Sequence, residues 1–174
     1  MKLTKILKEV MSEIGDASNI DTYKYSKTLI SADYGQEEYK MQFTTESDTD
    51  YIVIIHKIDR NDDNQWRMDV EFGVENESEG GFPPSYDYKS VVNKGEMYKV
   101  MGTVVKIVKE EIKESTRSNQ YIRRILIEPS KNFESDTRRA NLYKAYVEKN
   151  MPEGSKIAVA EDLSYIEVIL PKPN

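Results

Sequence analysis

A chain of 174 residues with 38% hydrophobic and 32% charged side chains is expected to form one domain (1–174), burying roughly 70% of the surface its unfolded form exposes. A net charge of −6 argues against a nucleic-acid or membrane-surface binder, which would need a basic face. The absence of cysteine excludes disulfides, thiolate nucleophiles and Cys-ligated zinc, and the single histidine, His56, excludes a His-rich metal site.

No apolar run approaches the ~18 residues of a membrane span. The start, Met1-Lys2-Leu3-Thr4-Lys5, lacks a long apolar signal core, so a cytoplasmic location is expected. Leu3, Ile6, Leu7, Val10, Met11 and Ile14 then fall on one stripe of an amphipathic helix, with Gly15 at the place of a C-cap. Packing on a sheet is the simpler role for it; a detachable partner-binding helix is the sharper one.

Four strands are predicted next, over 23–30, 38–44, 51–58 and 66–74. Tyr39, Met41 and Phe43 alternate with Glu38, Lys40 and Gln42, which predicts one buried and one solvated face. The third strand is the most apolar and is expected to be central. On the fourth, Trp66, Met68, Val70 and Phe72 share a face, and Trp66 is expected to be mostly buried. Short polar connections suit an antiparallel meander. Between the last two, Asp59-Arg60-Asn61-Asp62-Asp63-Asn64 spaces oxygen ligands as a calcium loop does. The sixth position is Asn64 rather than glycine and the twelfth is Val70 rather than glutamate, so a polar hairpin turn is the reading, and no metal is expected. His56 shares its strand face with Ile52, Ile54 and Ile58 and has no recognisable nucleophile beside it.

Residues 76–95 form the one long irregular stretch. Pro83-Pro84 stiffens it, and Phe82, Tyr86 and Tyr88 supply rigid aromatic area of the kind that dominates interfaces. This loop is the expected contact with a protein partner or a second copy; the competing reading is that its aromatics fold back and pin it to its own sheet. A helix over 97–112 follows, with Met97, Val100, Met101, Val104, Val105, Val108 and Ile112 on one stripe and Lys99, Lys106, Lys109, Glu110 and Lys113 on the wet side. The turn-forming run 115–119 is expected to break it. A buried strand over 121–127 ends at Pro129. A second helix is capped by Ser135 or Asp136 and stopped by Pro152 and Gly154, with Ala140, Tyr143 and Val147 inward and Leu142 and Tyr146 at the margins. Strands over 157–160 and 165–170 close the chain. Arg123, Arg124, Arg138 and Arg139 are candidates for an anion-binding cluster beside a helix N-terminus. Because Arg123 and Arg124 point to opposite faces of a strand, surface pairing with carboxylates is the simpler role.

The element order of helix, antiparallel strands, helix, strand, helix, strand, strand resembles that of the GCN5-related N-acetyltransferases. The likeness is most specific at Leu142-Tyr143. In that family a leucine-tyrosine pair near the C-terminus often supplies a tyrosine as general acid toward the departing CoA thiolate, a role the resemblance would give Tyr143. It also implies acetyl-CoA inserted in a splayed V between the fourth and fifth strands, and a glycine-spaced pyrophosphate loop just before the central helix. That place holds Val92-Asn93-Lys94-Gly95-Glu96-Met97, which departs from the pattern, and Glu96 puts negative charge where phosphate would sit. A second pattern is closer in wording: an aromatic-rich strand over 66–72, Val100-Met101-Gly102-Thr103-Val104-Val105, then Arg138 and Arg139 ahead of Leu142-Tyr143. It resembles a recurring pattern in small uncharacterised tailed-bacteriophage proteins and implies viral origin, in the host cytoplasm or the virion.

The expectation is therefore an α+β domain. It has a mixed, mostly antiparallel sheet, an N-terminal helix, two helices in the C-terminal half and a degenerate acetyltransferase-like topology. The leading function is a non-catalytic phage interaction or structural protein without a cofactor. An acyl-CoA-dependent N-acyltransferase is the alternative, and an anion- or nucleotide-binding module is third.

Overall fold

The structure, a computed structural model, describes residues 21–60, 65–75, 86–87, 94–129, 137–160 and 165–172. The expected N-terminal helix lies outside these residues. Strands β1 (Ser26–Asp33), β2 (Gln36–Thr44), β3 (Asp50–Asp59) and β4 (Gln65–Glu75) make an antiparallel meander. A two-residue strand, β5 (Tyr86–Asp87), pairs with the end of β4. Helix α1 (Lys94–Arg117) leads to β6 (Tyr121–Pro129), which runs parallel to β4. Helix α2 (Thr137–Asn150) precedes β7 (Lys156–Val159) and β8 (Ile166–Ile169), with β8 seated between β6 and β7 and antiparallel to both. The sheet order is β1-β2-β3-β4-β6-β8-β7, with β5 off this path, so the domain is α+β with a mixed, mostly antiparallel sheet.

Register explains which face is buried. The pairs Met41↔Val53↔Phe72 and Tyr39↔Ile55↔Val70 place one apolar row across β2, β3 and β4. The row continues through Met68↔Ile125↔Val168. Val100, Met101, Val104, Val105 and Val108 of α1 and Tyr143, Tyr146 and Val147 of α2 join this row in a single core. Both helices therefore cover the same face. Phe72 meets Tyr143 edge-on at 5.3 Å between ring centroids, and Tyr23, Phe43 and Tyr51 stack in sequence at 5.6 and 5.4 Å.

Three expectations change. The first strand was predicted over 23–30, but β1 runs on to Asp33 and turns through Tyr34 (φ 42) and Gly35 (φ 76), a two-residue hairpin turn with both positions left-handed. Gly35 suits the left-handed position, and a Cβ there would also stand in tight contact, 3.1 Å from Asp59 Cβ. Helix α1 passes through Ser115 and Thr116, where a break was expected: Thr116 Oγ1 donates to the Ile112 carbonyl and Ser115 is buried. It stops at Asn119 (φ 58), where Asn119 N donates to Thr116 O and Gln120 N to Ser115 O, a Schellman end. Tyr146 is at the centre of the core rather than its margin, fully buried with its hydroxyl 3.3 Å from the Tyr98 carbonyl. Burial pushes its phenol up to about 12. Trp66 is mostly buried, as expected, and packs against the edge of the core at the start of β4.

One charged cluster lies inside the helix–sheet interface. Lys57 and Glu111 are each 2% exposed and meet at 2.8 Å, from Nζ to Oε2, as an ion pair rather than an aligned hydrogen bond. Lys27 donates to Glu111 Oε1 at 2.5 Å and to Glu114 Oε2 at 2.7 Å. Both lysines also lie over the Tyr39 ring, at 4.3 and 4.9 Å.

Candidate functional site

Two features of the described residues present chemistry to the outside. The first is the β1 edge. All eight residues of β1 are exposed, and among the described residues its outer edge carries no partner strand. Leu29 and Ile30 are 53% and 51% exposed, and Tyr34 at the hairpin tip is 98% exposed. Pairing with β2 jumps from Leu29↔Tyr39 to Ser31↔Glu38, so Ile30 is the extra residue of a bulge. A tyrosine in the left-handed region is unusual because its Cβ crowds the backbone. The fold accepts that strain and leaves the ring in water.

The second is a cleft of about 250 Å³ at the head of β4 and β6, lined by Arg60, Gln65, Trp66, Arg67, Arg123, Arg124 and Ile169. The parallel ladder builds it by setting Arg67 beside Arg124. Register shifts between Trp66 and Arg67, so Ile122 pairs with Trp66 and Arg123 is the residue skipped. The Arg123 guanidinium donates to the Leu170 carbonyl. Arg124 Nε pairs with Glu167 Oε1 at 2.9 Å, and an Arg67 terminal nitrogen donates to Asp69 Oδ2 at 2.7 Å. Arg67 Nε and Asp69 Oδ1 are buried without hydrogen-bond partners; a small rotation to a bidentate pair would satisfy both. Arg60 has no carboxylate partner among the described residues.

Of the expected anion cluster, Arg123 and Arg124 line the cleft, together with Arg60 from the predicted hairpin turn and Arg67 from the fourth predicted strand. Arg138 and Arg139 lie on the first turn of α2, with side chains outside the described residues. Of the aromatic loop, Phe82 and Tyr88 lie outside the described residues, and Tyr86 is described only as backbone, paired with Glu75.

Tyr143, the general-acid candidate, is 7% exposed and packs its ring against Phe72. The β4–β6 ladder continues from Gln65↔Tyr121 to Phe72↔Pro129, the full length of β6, and β5 takes up β4 beyond it. At the start of α1, Glu96 accepts from Ser47 N at 2.8 Å and Ser47 Oγ at 2.7 Å, and Lys99 reaches Glu46 at 2.7 Å. These contacts fasten the helix to the β2–β3 turn. His56 faces away from both helices, 37% exposed, with Nδ1 3.8 Å from Glu38. Among the described residues no group of His, Asp or Glu is arranged to hold a metal, and no helix is long and apolar enough to cross a membrane. Compared with protein-family models, curated proteins and solved structures, the chain matches none.

Proposed function

We propose that the protein is a non-catalytic, bacteriophage-encoded interaction module on a degenerate acetyltransferase-like topology, and that it associates with a second copy of itself through the β1 edge. The observation that carries this reading is an eight-residue edge strand exposed along its whole length with two large apolar side chains at its middle. Such an edge offers unpaired backbone N–H and C=O groups to another strand. A two-fold axis perpendicular to the sheet near the middle of β1 would bring the apolar side chains of Leu29 and Ile30 from both copies together along the new ladder. The bulge at Ile30 and the charge on Lys27 restrict which strands fit, which favours one defined partner over open-ended addition. The viral origin rests on the sequence pattern over 66–72 and 100–105 and on Leu142-Tyr143.

The acyltransferase alternative has less support. A cofactor entering between β4 and β6 would have to part a ladder that is paired through Phe72↔Pro129. Tyr143 would have to leave Phe72 to reach a thiolate, and Glu96 already engages Ser47. Sedimentation equilibrium across the micromolar range tests the proposal: the wild type is expected to dimerise, and the double variant Leu29→Lys/Ile30→Lys to stay monomeric with an unchanged melting temperature. A wild-type chain that remains monomeric throughout overturns self-association. Calorimetry with acetyl-CoA is expected to register no binding; micromolar affinity would promote the enzyme reading, with Tyr143→Phe as the next variant to assay.

A further inference from the structure

The arginine cleft owes nothing to the β1 edge and points to a ligand of its own. Four of the chain's seven arginines line a single cleft of about 250 Å³ in a protein of net charge −6. Like charges brought this close repel, and surface arginines are normally offset by nearby carboxylates. Here the compensation is half complete. Asp69 offsets Arg67, and Glu167 offsets Arg124. Arg123 is turned onto a neutral carbonyl, that of Leu170, and Arg60 has no carboxylate among the described residues. Among the described residues the cleft thus holds two positive charges without a carboxylate partner, the complement of a dianion.

The remaining donors suit the same ligand. Arg124 uses Nε on Glu167 and is half exposed, so its terminal nitrogens stay available on the open side. Guanidinium edges match the spacing of phosphate oxygens and bind them in pairs, which a lysine cannot do. The volume falls below the ~300–1,000 Å³ of pockets that hold drug-sized molecules, so a small group is called for. Trp66 and Ile169 add an apolar wall beside the charges.

We propose that this cleft binds a phosphoryl dianion, either free phosphate or the phosphoryl group of a small monoester, held by Arg60, Arg123 and Arg124 against Trp66. Trp66 is the chain's one tryptophan, so its fluorescence reports on the cleft alone. Inorganic phosphate and adenosine monophosphate are titrated separately into the wild-type protein, with sodium chloride at matched ionic strength as the control. A saturable change with phosphate, absent with chloride, is expected. Tighter binding of the nucleotide would assign the monoester, its base against Trp66; equal affinities would assign the phosphoryl group alone. Arg60→Ala and Arg124→Ala, both at exposed side chains, are each expected to weaken binding by about 10-fold or more, and Arg124→Lys to recover only part of the loss. The idea is overturned if neither anion saturates while Trp66 emission remains native. It is equally overturned if the wild type and both alanine variants respond alike.

Discussion

Lys57 and Glu111 are the deepest charges among the described residues, each 2% exposed, and their worth depends on what remains when one is removed. A buried ion pair gains little over a well-packed apolar pair, yet breaking it strands a charge at a cost of about 3–5 kcal/mol. The two halves are not equivalent here, because Glu111 serves Lys27 as well. Glu111→Gln leaves Lys57 buried without a counter-charge, and is expected to destabilise by about 3–5 kcal/mol. Lys57→Met leaves Glu111 still paired to Lys27, and is expected to cost clearly less. The double variant Lys57→Met/Glu111→Gln should recover much of the loss of Glu111→Gln alone, as urea unfolding would measure. Equal single-variant losses that add in the double would mean that the two side chains are uncoupled. None of this was legible in the sequence. Lys57 continues the inward row of Tyr51, Val53 and Ile55, and Glu111 lies between Val108 and Ile112 on α1, but only the packed register shows that the two interruptions meet. Trp66 was legible by contrast: alternation alone put it on the inward face, and it packs against the core there.

At the scale of elements, period and composition located what repeats. The alternation of Tyr39, Met41 and Phe43 marked β2, the apolar run 51–55 marked β3 as an interior strand though β4 is the middle one, and Pro129 marked the end of β6. Ends were less legible where a single residue sets them by its backbone. Tyr34 turns the first hairpin in a conformation tyrosine rarely adopts, and Asn119 closes α1 three residues beyond two apparent helix breakers. The arginine cleft was hidden for another reason: Arg60 and Arg67 reach Arg123 and Arg124 only through the parallel register across a whole helix. The lysine–glutamate cluster that ties β1 to α1 also gives the fold a defined pH range. Burial opposes the charge on Lys27, but its hydrogen bonds to Glu111 and Glu114 outweigh that and raise its pKa. Its contribution is therefore complete below the ordinary lysine value of 10.5 and lost as pH rises through the raised one. The Lys27 hydrogen bond dominates at Glu114 and lowers its pKa, so that contribution is present above 4.5 and lost as pH falls through the lowered value. Burial and the hydrogen bond to Glu37 likewise push Tyr39 up to about 12, adding to the alkaline limb. The melting temperature is expected to hold level between those limits and decline outside them. Lys27→Met should shallow the acid decline, and an acid limb identical to wild type would show that the cluster does not set it.

At the scale of the molecule, both helices lie on one face of a sheet whose two outer strands differ in length. β1 offers eight residues at one edge and β7 only four at the other. That asymmetry favours a closed pair over a growing chain of sheets, since the longer edge is consumed by dimer formation. The parallel contact between β4 and β6 has a further consequence, for the order in which the fold comes together. β1 to β4 are joined by short hairpin connections and can zip up as they leave the ribosome. β6 must wait for the 24 residues of α1 and the chain ahead of it, a larger loop to close. Until then the inner edge of β4 is bare, and the growing meander ends on an eleven-residue strand rather than on the four-residue β7 of the finished sheet. The late-arriving strands are expected to be the first to let go. In native-state hydrogen exchange, amides of β6 and β8 should open together at a lower denaturant concentration than those joining β2 and β3. Simultaneous release of all four would mean that the sheet assembles and comes apart as one cooperative unit, with no interval in which β4 stands exposed.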